Sequence, residues 1–240
     1  MLTKNQRKFI QLLKKKKHRQ ENNVFVAEGK KVIDELIKSK WPYEYLYTTE
    51  KNFHKDAMLI KLDEMEKITH FKTPSSHLGV FTLPKKRKIL AESTSIIIDG
   101  INDPGNLGTI IRLCDWFGLS EIICSQSTVD CFNSKVVQAS MGSITRVRCH
   151  YVNDLLFTLN TLKKPIYGAT TDGNSIYKSN LPKKASYVFG NESHGISKSL
   201  SDEFKGEFSI PKLRQENNSP ESLNVANATA IFLSELLRPI

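Results

Sequence analysis

The chain has 240 residues, of which 39% are hydrophobic and 25% are charged, a length and composition typical of a globular protein with one large or two small domains. A membrane-spanning helix needs about 18 consecutive apolar residues; no stretch is that apolar, and the basic N-terminus lacks the apolar segment of a secretion signal. We therefore expect a cytoplasmic protein without a membrane partner, and the formal net charge of +10 favours a polyanionic one.

The positive charge is concentrated in the first third of the chain. Residues 1–90 hold 21 Lys and Arg against 10 Asp and Glu, whereas residues 91–240 hold 14 against 15. This asymmetry favours a nucleic acid bound by the N-terminal part, although a Lys-rich helix that only faces water is the alternative. The residues expected to contact RNA are Lys4, Arg7, Lys8, Lys14, Lys15, Arg19 and Lys30.

The elements of the first 90 residues predict a small α/β domain. The pattern of "KNQRKFIQLLKKKKHR" predicts an amphipathic helix. A strand in "NVFVAEG", a helix in "KKVIDELIKS" and strands in "YEYLYT", "AMLIKL" and "LGVFTL" follow. Because "LPKKRKILAES" has the composition of a linker, we place the boundary near residue 90, which gives domains at 1–90 and 91–240.

The second domain alternates strands and helices. Strands are predicted in "TSIIIDG", "SEIICS", "KPIYGATT", "ASYVFG" and "GEFSIP". Helices are predicted in "LGTIIRLCDWFG", "SKVVQASMG", "VNDLLFTLNTLK" and "SPESLNVANATAIFLSELLR". This alternation predicts a parallel sheet with helices on both faces, and such sheets bind ligands in the loops beyond the carboxyl ends of their strands.

The first polar loop of this domain is "DGINDPGNLG". Pro104 and Gly105 are expected to form a turn, and Asn106 to cap the following helix. Arg112 lies in the second turn of that helix. It is either a functional cation or the partner of Asp115 in a surface ion pair.

The second polar loop is "FGNESHGIS". Gly190 and Gly195 have the outer spacing of an ATP-binding loop, but Ile196 stands where that loop requires Lys, which excludes it. Glu192 is either functional or a partner of a helix dipole. His194 is equally compatible with an exposed loop residue.

The third polar loop opens the final helix in "IPKLRQENNSPESLNVANA". Ser219 as N-cap and Pro220 at the first helical position would put Ser222 in the first turn and Asn224 inside an apolar helix. No G-x-G-x-x-G follows a strand, which argues against a Rossmann site. The four cysteines form no C-x-x-C pair, so we expect reduced, mostly buried thiols and no metal.

In this order the three loops resemble the three signature motifs of the SpoU/TrmH family, RNA ribose 2′-O-methyltransferases of the SPOUT class that use S-adenosylmethionine. Residues 96–238 resemble the family closely, and residues 1–90 are similar to its small substrate-binding domain. The matching residues are Asn106 and Arg112 in motif 1, Gly190, Glu192 and Gly195 in motif 2, and Ile210, Pro211, Ser222, Leu223 and Asn224 in motif 3.

The resemblance implies an α/β catalytic domain with a deep C-terminal trefoil knot and a homodimer. The donor site it implies consists of Thr170, Gly190, Gly195, Ile210 and Leu223. The catalytic residues it implies are Asn106, Arg112, Glu192, Ser222 and Asn224. Arg112 would act as a base or, in our preferred interpretation, as a fixed cation that stabilises the oxyanion.

Two alternatives to a 2′-O-methyltransferase stay open. One is a non-catalytic RNA-binding or ribosome assembly protein that retains the fold, and the other is a base-methylating SPOUT enzyme. For the enzyme, large-subunit rRNA is the first choice of substrate and tRNA the second. Compared with the family, the polar segment "KLRQENNSPE" is longer, and "TPSSHLGVF" replaces a Pro-Gln-Gly segment.

Overall fold

The structure is a computed structural model that describes residues 2–90, 94–213 and 221–238. In chain order the helices are α1 (Lys4–Leu12), α2 (Lys16–Asn22), α3 (Lys30–Lys38), α4 (Leu62–Glu66), α5 (Pro104–Trp116), α6 (Ser134–Ala139), α7 (Leu155–Leu162), α8 (Lys198–Ser201) and α9 (Val225–Leu236). The strands are β1 (Val24–Glu28), β2 (Tyr43–Thr48), β3 (Met58–Leu59), β4 (His77–Thr82), β5 (Ser95–Ile98), β6 (Glu121–Ser125), β7 (Arg148–Val152), β8 (Ile166–Ser175), β9 (Ser186–Phe189) and β10 (Gly206–Ser209).

The chain divides into two compact units. The first unit comprises Met1–Arg87 and Asp130–Thr145, and the second comprises Lys88–Val129 and Arg146–Ile240. The break after Arg87 lies close to the boundary predicted near residue 90, but the inclusion of Asp130–Thr145 in the first unit differs from the prediction. The reason is α6, which lies against β1 and buries Val136 and Val137.

A four-stranded sheet forms the centre of the first unit, in the order β1-β4-β2-β3. Strand β4 is antiparallel to both β1 and β2, whereas β2 and β3 are parallel. Ile10 and Leu13, at the C-terminal end of the first helix and just after it, pack into a core cluster with Val24 and Val26 of β1. This packing explains the alternation of apolar and basic residues at the N-terminus.

The single N-terminal helix predicted for "KNQRKFIQLLKKKKHR" is wrong, because the segment forms both α1 and α2. Lys15 between them is extended, with φ −89° and ψ 131°. The Nη1 group of Arg19 donates to the carbonyl oxygens of Leu13 at 2.8 Å and Lys14 at 2.9 Å. These side-chain hydrogen bonds satisfy carbonyl groups left at the end of the first helix.

The predicted contact of Arg19 with RNA is wrong. Only 3% of the residue is exposed, and its Nε and Nη2 groups donate to Oδ2 of Asp130 at 3.1 and 2.5 Å. A buried charge costs free energy unless it is paired in this way. Arg19 therefore joins α2 to the segment 130–145 of the same unit and is not presented to a ligand.

The second unit contains a six-stranded sheet in the order β10-β8-β9-β5-β6-β7. All five pairs of neighbouring strands are parallel, which confirms the predicted parallel sheet. On one face Leu159 of α7 packs against Ile97 and Val188. On the opposite face, Phe232 of α9 contacts the ring of Tyr187, the neighbour of Val188 in β9, at a centroid distance of 5.2 Å. The deep trefoil knot implied by the resemblance stays a prediction.

Two predicted helix starts are wrong. Asp103, not Asn106, caps α5: its side chain accepts from the backbone N–H of Asn106 at 2.8 Å, and Pro104 occupies the first helical position. Asn224 caps α9, so Ser222 precedes the helix instead of lying in its first turn. The predicted cap Ser219 and Pro220 lie outside the described residues.

The expectation that the thiols are mostly buried is confirmed. Cys114, Cys124 and Cys131 are buried, and Cys149 is half-buried. In the described ranges of the chain, none of the helices has the length and apolar character needed to cross a membrane.

Candidate active site

The polar loops of the second unit follow neighbouring strands at the carboxyl edge of its sheet. Gly190 follows the last residue of β9, and Ile210 follows the last residue of β10. The strand β8 lies between these two, and β5 lies on the other side of β9. Because all these strands are parallel, the loops after them meet at one edge, which is where such sheets bind ligands.

A chain of side-chain hydrogen bonds connects the three loops. Nδ2 of Asn224 donates to Oδ1 of Asn106 at 2.9 Å, and Nδ2 of Asn106 donates to Oε1 of Glu192 at 2.5 Å. The partners are 118 and 86 positions apart in the sequence. The three motif residues that sequence alone could only place in separate loops are therefore in direct contact.

The cap of α9 sets the direction of this hydrogen-bond chain. Oδ1 of Asn224 accepts from the backbone N–H groups of Ala226 at 3.0 Å and Asn227 at 3.3 Å. A backbone N–H can only donate, so the amide nitrogen of Asn224 must face Asn106. The oxygen of Asn106 then faces Asn224, and its nitrogen faces Glu192. A carboxylate, which only accepts, is a suitable end for the chain.

Asn191 holds the loop that carries Glu192. Its backbone exchanges two hydrogen bonds with Gly195, both of 2.9 Å, and its Nδ2 donates to the carbonyl oxygen of Gly100 at 2.7 Å. Its Oδ1 accepts from the backbone N–H of Ser193 at 2.8 Å. Sequence reasoning missed Asn191, although an Asn between two functional residues of a turn is a recognised bridging residue.

Gly190 has no room for a side chain. A Cβ built on it would lie 2.4 Å from the carbonyl carbon of Gly195 and 2.6 Å from the backbone nitrogen of Ile196. Both are backbone atoms, so no side-chain rotation relieves the clash. Gly195 itself has φ +66°, a conformation in which glycine carries no steric penalty. The two glycines therefore permit a close crossing of two backbone segments.

Arg112 lies on α5 with its side chain exposed. The alternative role of Arg112 is a surface ion pair with Asp115. Asp115 is instead bound by Arg146: Nη2 of Arg146 lies 2.8 Å from Oδ2 of Asp115, and Nε lies 3.0 Å from Oδ1. Within the described parts of the chain, Arg112 forms no ion pair of its own. The ion-pair interpretation of Arg112 is therefore wrong, and its guanidinium is available to a ligand.

The residues expected to bind a methyl donor provide apolar surface and backbone groups. Ile210 is half-buried, and 51% of Leu223 is exposed. Opposite Glu207 and Phe208 the partners in β8 are Gly168 and Asn174, so residues 169–173 leave the ladder. Thr170, in this excursion, donates its hydroxyl to Oε2 of Glu207 at 2.9 Å. Glu207 was not identified from the sequence.

The remaining predicted residues are exposed. Ser222 lies on the surface just before the cap of α9. Lys30 is 3.3 Å from a carboxylate oxygen of Glu50. The other expected RNA contacts that the structure leaves exposed are Lys4, Arg7, Lys8, Lys14 and Lys15.

Two family models match the chain. The model of the SpoU rRNA Methylase family matches residues 93–234, and the model of the MRM3-like substrate binding domain matches residues 4–79. Among curated proteins, the 23S rRNA (guanosine(2553)-2′-O)-methyltransferase RlmP of Bacillus subtilis is 29% identical over 92% of this chain and 91% of its own length. The 23S rRNA (guanosine-2′-O-)-methyltransferase RlmB of Neisseria meningitidis is 33% identical over 60% of this chain and 57% of its own length.

Solved structures resemble the whole chain. A protein of Porphyromonas gingivalis described as an RNA methyltransferase of the TrmH family is 34% identical, with a TM-score of 0.85, over 98% of both chains. An AdoMet-bound rRNA methyltransferase of Sinorhizobium meliloti is 29% identical, with a TM-score of 0.83, over 99% of this chain and 96% of its own.

Proposed function

The chain belongs to the SpoU rRNA methylase family, and we propose that it transfers a methyl group from S-adenosylmethionine to a ribose 2′-hydroxyl of 23S rRNA. The observation that carries the proposal is the hydrogen-bond chain from Asn224 through Asn106 to Glu192, because it connects all three motif segments, and the helix that contains Asn106 also carries the exposed Arg112. The substrate follows from RlmP and RlmB, which are both named for 23S rRNA. An rRNA substrate also supports the expected cytoplasmic location.

The carboxyl edge of the sheet fits the methyl donor. Ile210 and Leu223 offer apolar contacts, and Gly190 and Gly195 offer backbone without side chains. Thr170 and Glu207 add a hydroxyl and a carboxylate to the same edge. When bound, S-adenosylmethionine would supply an electrophilic methyl carbon for the 2′-oxygen. The carbon–sulfur bond would break so that S-adenosylhomocysteine leaves, and the hydroxyl proton would pass to water.

Arg112 is the residue to which we assign electrostatic catalysis. An arginine side chain stays protonated at neutral pH, so removal of the 2′-hydroxyl proton is a poor role for it. A guanidinium can instead contact an RNA phosphate and stabilise the oxyanion that develops on the 2′-oxygen. Arg112 is exposed and forms no ion pair with any residue that the structure describes, which supports this role.

The other motif residues position the reacting groups. Asn106, Glu192 and Asn224 fix the distances between the loops, which matters because small displacements of reacting atoms cost large factors in rate. Ser222, two residues before Asn224 and exposed, is assigned to the ribose. The exposed lysines of the first unit supply phosphate contacts, so affinity for RNA falls steeply with salt.

A homodimer is part of the proposal. Trp116, at the end of α5, is 84% exposed, and beside it lies a groove of about 620 Å³ that Phe117 and Leu237 also line. The groove is also lined by the polar residues Ser234, Glu235 and Arg238. A large exposed indole beside a groove with both apolar and polar groups is typical of a protein–protein interface. Light scattering should give twice the chain mass for the wild type and a smaller mass for Trp116→Glu.

The function is tested by mapping 2′-O-methyl groups in the rRNA of cells with and without the gene, by resistance of the neighbouring phosphodiester to alkali. We expect one 23S rRNA position to lose its methyl group and to regain it with the wild-type gene. Calorimetry with S-adenosylmethionine separates the alternative: an RNA-binding assembly protein need not bind the donor. A methyl group lost only from tRNA would contradict the rRNA substrate.

A further inference from the structure

One carboxylate oxygen in the first unit faces two nitrogen groups from different elements. Oε2 of Glu50, in the turn after β2, lies 3.3 Å from Nζ of Lys30, at the start of α3. It also lies 3.7 Å from Nε2 of His77, at the start of β4. Ser76 completes this group, which we call the Glu50 cluster: Lys30, Glu50, Ser76 and His77.

His77 is fully buried, and its Nε2 has no hydrogen-bond partner among the residues that the structure describes. The distance of 3.7 Å to Glu50 is too long for a hydrogen bond. The other ring nitrogen is paired with Oγ of Ser76 at 2.7 Å, and the ring of Phe53 packs at a centroid distance of 4.0 Å. A buried polar atom without a partner costs free energy, so Nε2 indicates a ligand other than the described residues.

The start of α3 adds a second attraction for an anion. Gly29, the N-cap of this helix of nine residues, has φ +98° and gives no side-chain cap. A Cβ built on Gly29 would have open space around it. Uncapped N–H groups and the helix dipole favour negative charge at such an end, and Lys30 and Lys31 follow directly.

We propose that the Glu50 cluster is a binding site for a phosphate of the RNA backbone, which the carboxylate of Glu50 occupies until RNA enters. The proposal rests on the proposed function, because it assumes an RNA substrate. Oε2 of Glu50 lies 3.3 Å from Nζ of Lys30 and 3.7 Å from Nε2 of His77, so a phosphate in its place would lie between the same two nitrogens. The start of α3 is close to them, because the backbone N–H of Gly29 donates to the carbonyl oxygen of His77 at 3.1 Å. The side chain of Glu50 is 46% exposed and can turn into water.

The electrostatics of the cluster agree with an anion site. Hydrogen bonds from Ser76 and then from Lys30 lower the pKa of Glu50, so the cluster stabilises a negative charge. Burial lowers the pKa of His77, which favours a neutral ring. Once Glu50 has turned into water, the hydroxyl of Ser76 can donate to Nδ1 of His77, and Nε2 then carries the ring proton and can donate it to a phosphate oxygen.

The first test compares RNA affinities of the full-length protein for an unmethylated 23S rRNA transcript. Glu50→Gln removes the competing carboxylate, and Glu44→Gln removes an equally exposed carboxylate from β2. If Glu50 blocks the site at the strength of a surface ion pair, Glu50→Gln should bind about two- to fivefold more tightly than Glu44→Gln. Equal affinities of the two variants would show a surface ion pair only.

The second test uses the salt dependence of the same binding. Lys30→Gln should lower the slope of log affinity against log salt by about 1, as expected for one lost phosphate contact. Lys38→Gln removes the same charge from the other end of α3, where the side chain is 74% exposed, and should leave the slope unchanged. An unchanged slope for Lys30→Gln would contradict the proposal.

The third test observes His77 directly, by nitrogen NMR of histidine-labelled protein. Addition of the RNA should move the Nε2 resonance of His77, whereas an unmoved resonance would exclude it from the site. Methylation of the transcript is measured in the same samples. Methylation with no response of the cluster contradicts this inference alone, and a response of the cluster without methylation contradicts the proposed reaction alone.

Discussion

The two units use their charged and polar side chains in opposite ways. In the second unit, side chains at one edge of the sheet contact each other across long sequence separations, and Arg112, on the helix that contains Asn106, is left exposed. In the first unit, which carries the excess positive charge, Arg19 is buried in an ion pair with Asp130, while Lys14, Lys15 and Lys17 are exposed. A count of basic residues therefore identifies the unit that meets a polyanion, but only burial and pairing identify which cations are available.

The sharpest test of this comparison is the exposed arginine. Arg112→Ala should lower kcat by about a thousandfold, because it removes a preorganised charge from the transition state. Donor affinity measured by calorimetry should stay unchanged. Arg112→Lys keeps the charge but loses the planar guanidinium group, so its kcat should lie between those of the wild type and Arg112→Ala. Near-normal turnover by Arg112→Ala would refute the assignment.

The buried arginine should show the reverse pattern. Arg19→Met leaves Asp130 without its partner, so the free energy of unfolding should fall by about 3–5 kcal/mol, as measured by urea denaturation. The matched control is Lys17→Met in the same helix, where the lysine is 78% exposed and stability should barely change. If Arg19→Met were as stable as the control, the structural role assigned to Arg19 would be wrong.

His70 makes the stability of the first unit sensitive to pH. Burial lowers the pKa of His70 from 6.5 to about 4, and its ring nitrogens lie 2.8 Å from the carbonyl oxygen of Ile10 and 2.6 Å from Oγ of Ser134. Between pH 4 and pH 6.5, His70 is therefore protonated in the unfolded chain and neutral in the folded chain. Stability should be lost as pH falls from about 6.5 to 4, by up to about 3 kcal/mol.

The control for this pH effect is His70→Gln, which removes the titrating group. The nearby Glu28, whose pKa burial raises, has the opposite sign and loses stability as pH rises. Since Glu28 is present in both proteins, the difference between wild type and His70→Gln isolates the histidine. If the difference in free energy of unfolding between wild type and His70→Gln were the same at pH 7 and pH 5, the assignment would be wrong.

The hydrogen-bond chain of the second unit should give a smaller effect. Asn106→Ala removes two hydrogen bonds and should lower kcat/KM by the equivalent of about 1–3 kcal/mol. Combined with Asn224→Ala, the two losses should fall short of additive by about 1 kcal/mol, because the residues share a bond. Asn227→Ala, an exposed neighbour in α9, serves as the control. Strict additivity would argue against the chain.

The sheet of the second unit was predictable from local pattern. The run from Ile96 to Ile98 is uninterrupted and fully buried, which is typical of a parallel strand covered on both faces. The start of α5 was also readable: Pro104 favours the first helical position, which makes Asp103 the cap, and Asn106 misled because it is an equally good capping residue.

Long-range pairing was beyond the sequence. Arg19 and Asp130 are 111 positions apart, and nothing in either segment indicates that the two meet. The same holds for α6: its apolar residues predict that it packs on a sheet, but not that this sheet is the one that contains β1. Only the resemblance to a family grouped the three motifs into one site, because the local sequence predicts each loop but not which other loop lies next to it.

Asn224 ties the fate of the last helix to that of the catalytic loops. One end of its amide holds the first turn of α9 and the other end holds Asn106, so fraying of that turn also releases Asn106 at the start of α5. Heating should thus inactivate the enzyme before the sheet melts. A graft that transplanted these loops onto another scaffold would need the terminal helix as well.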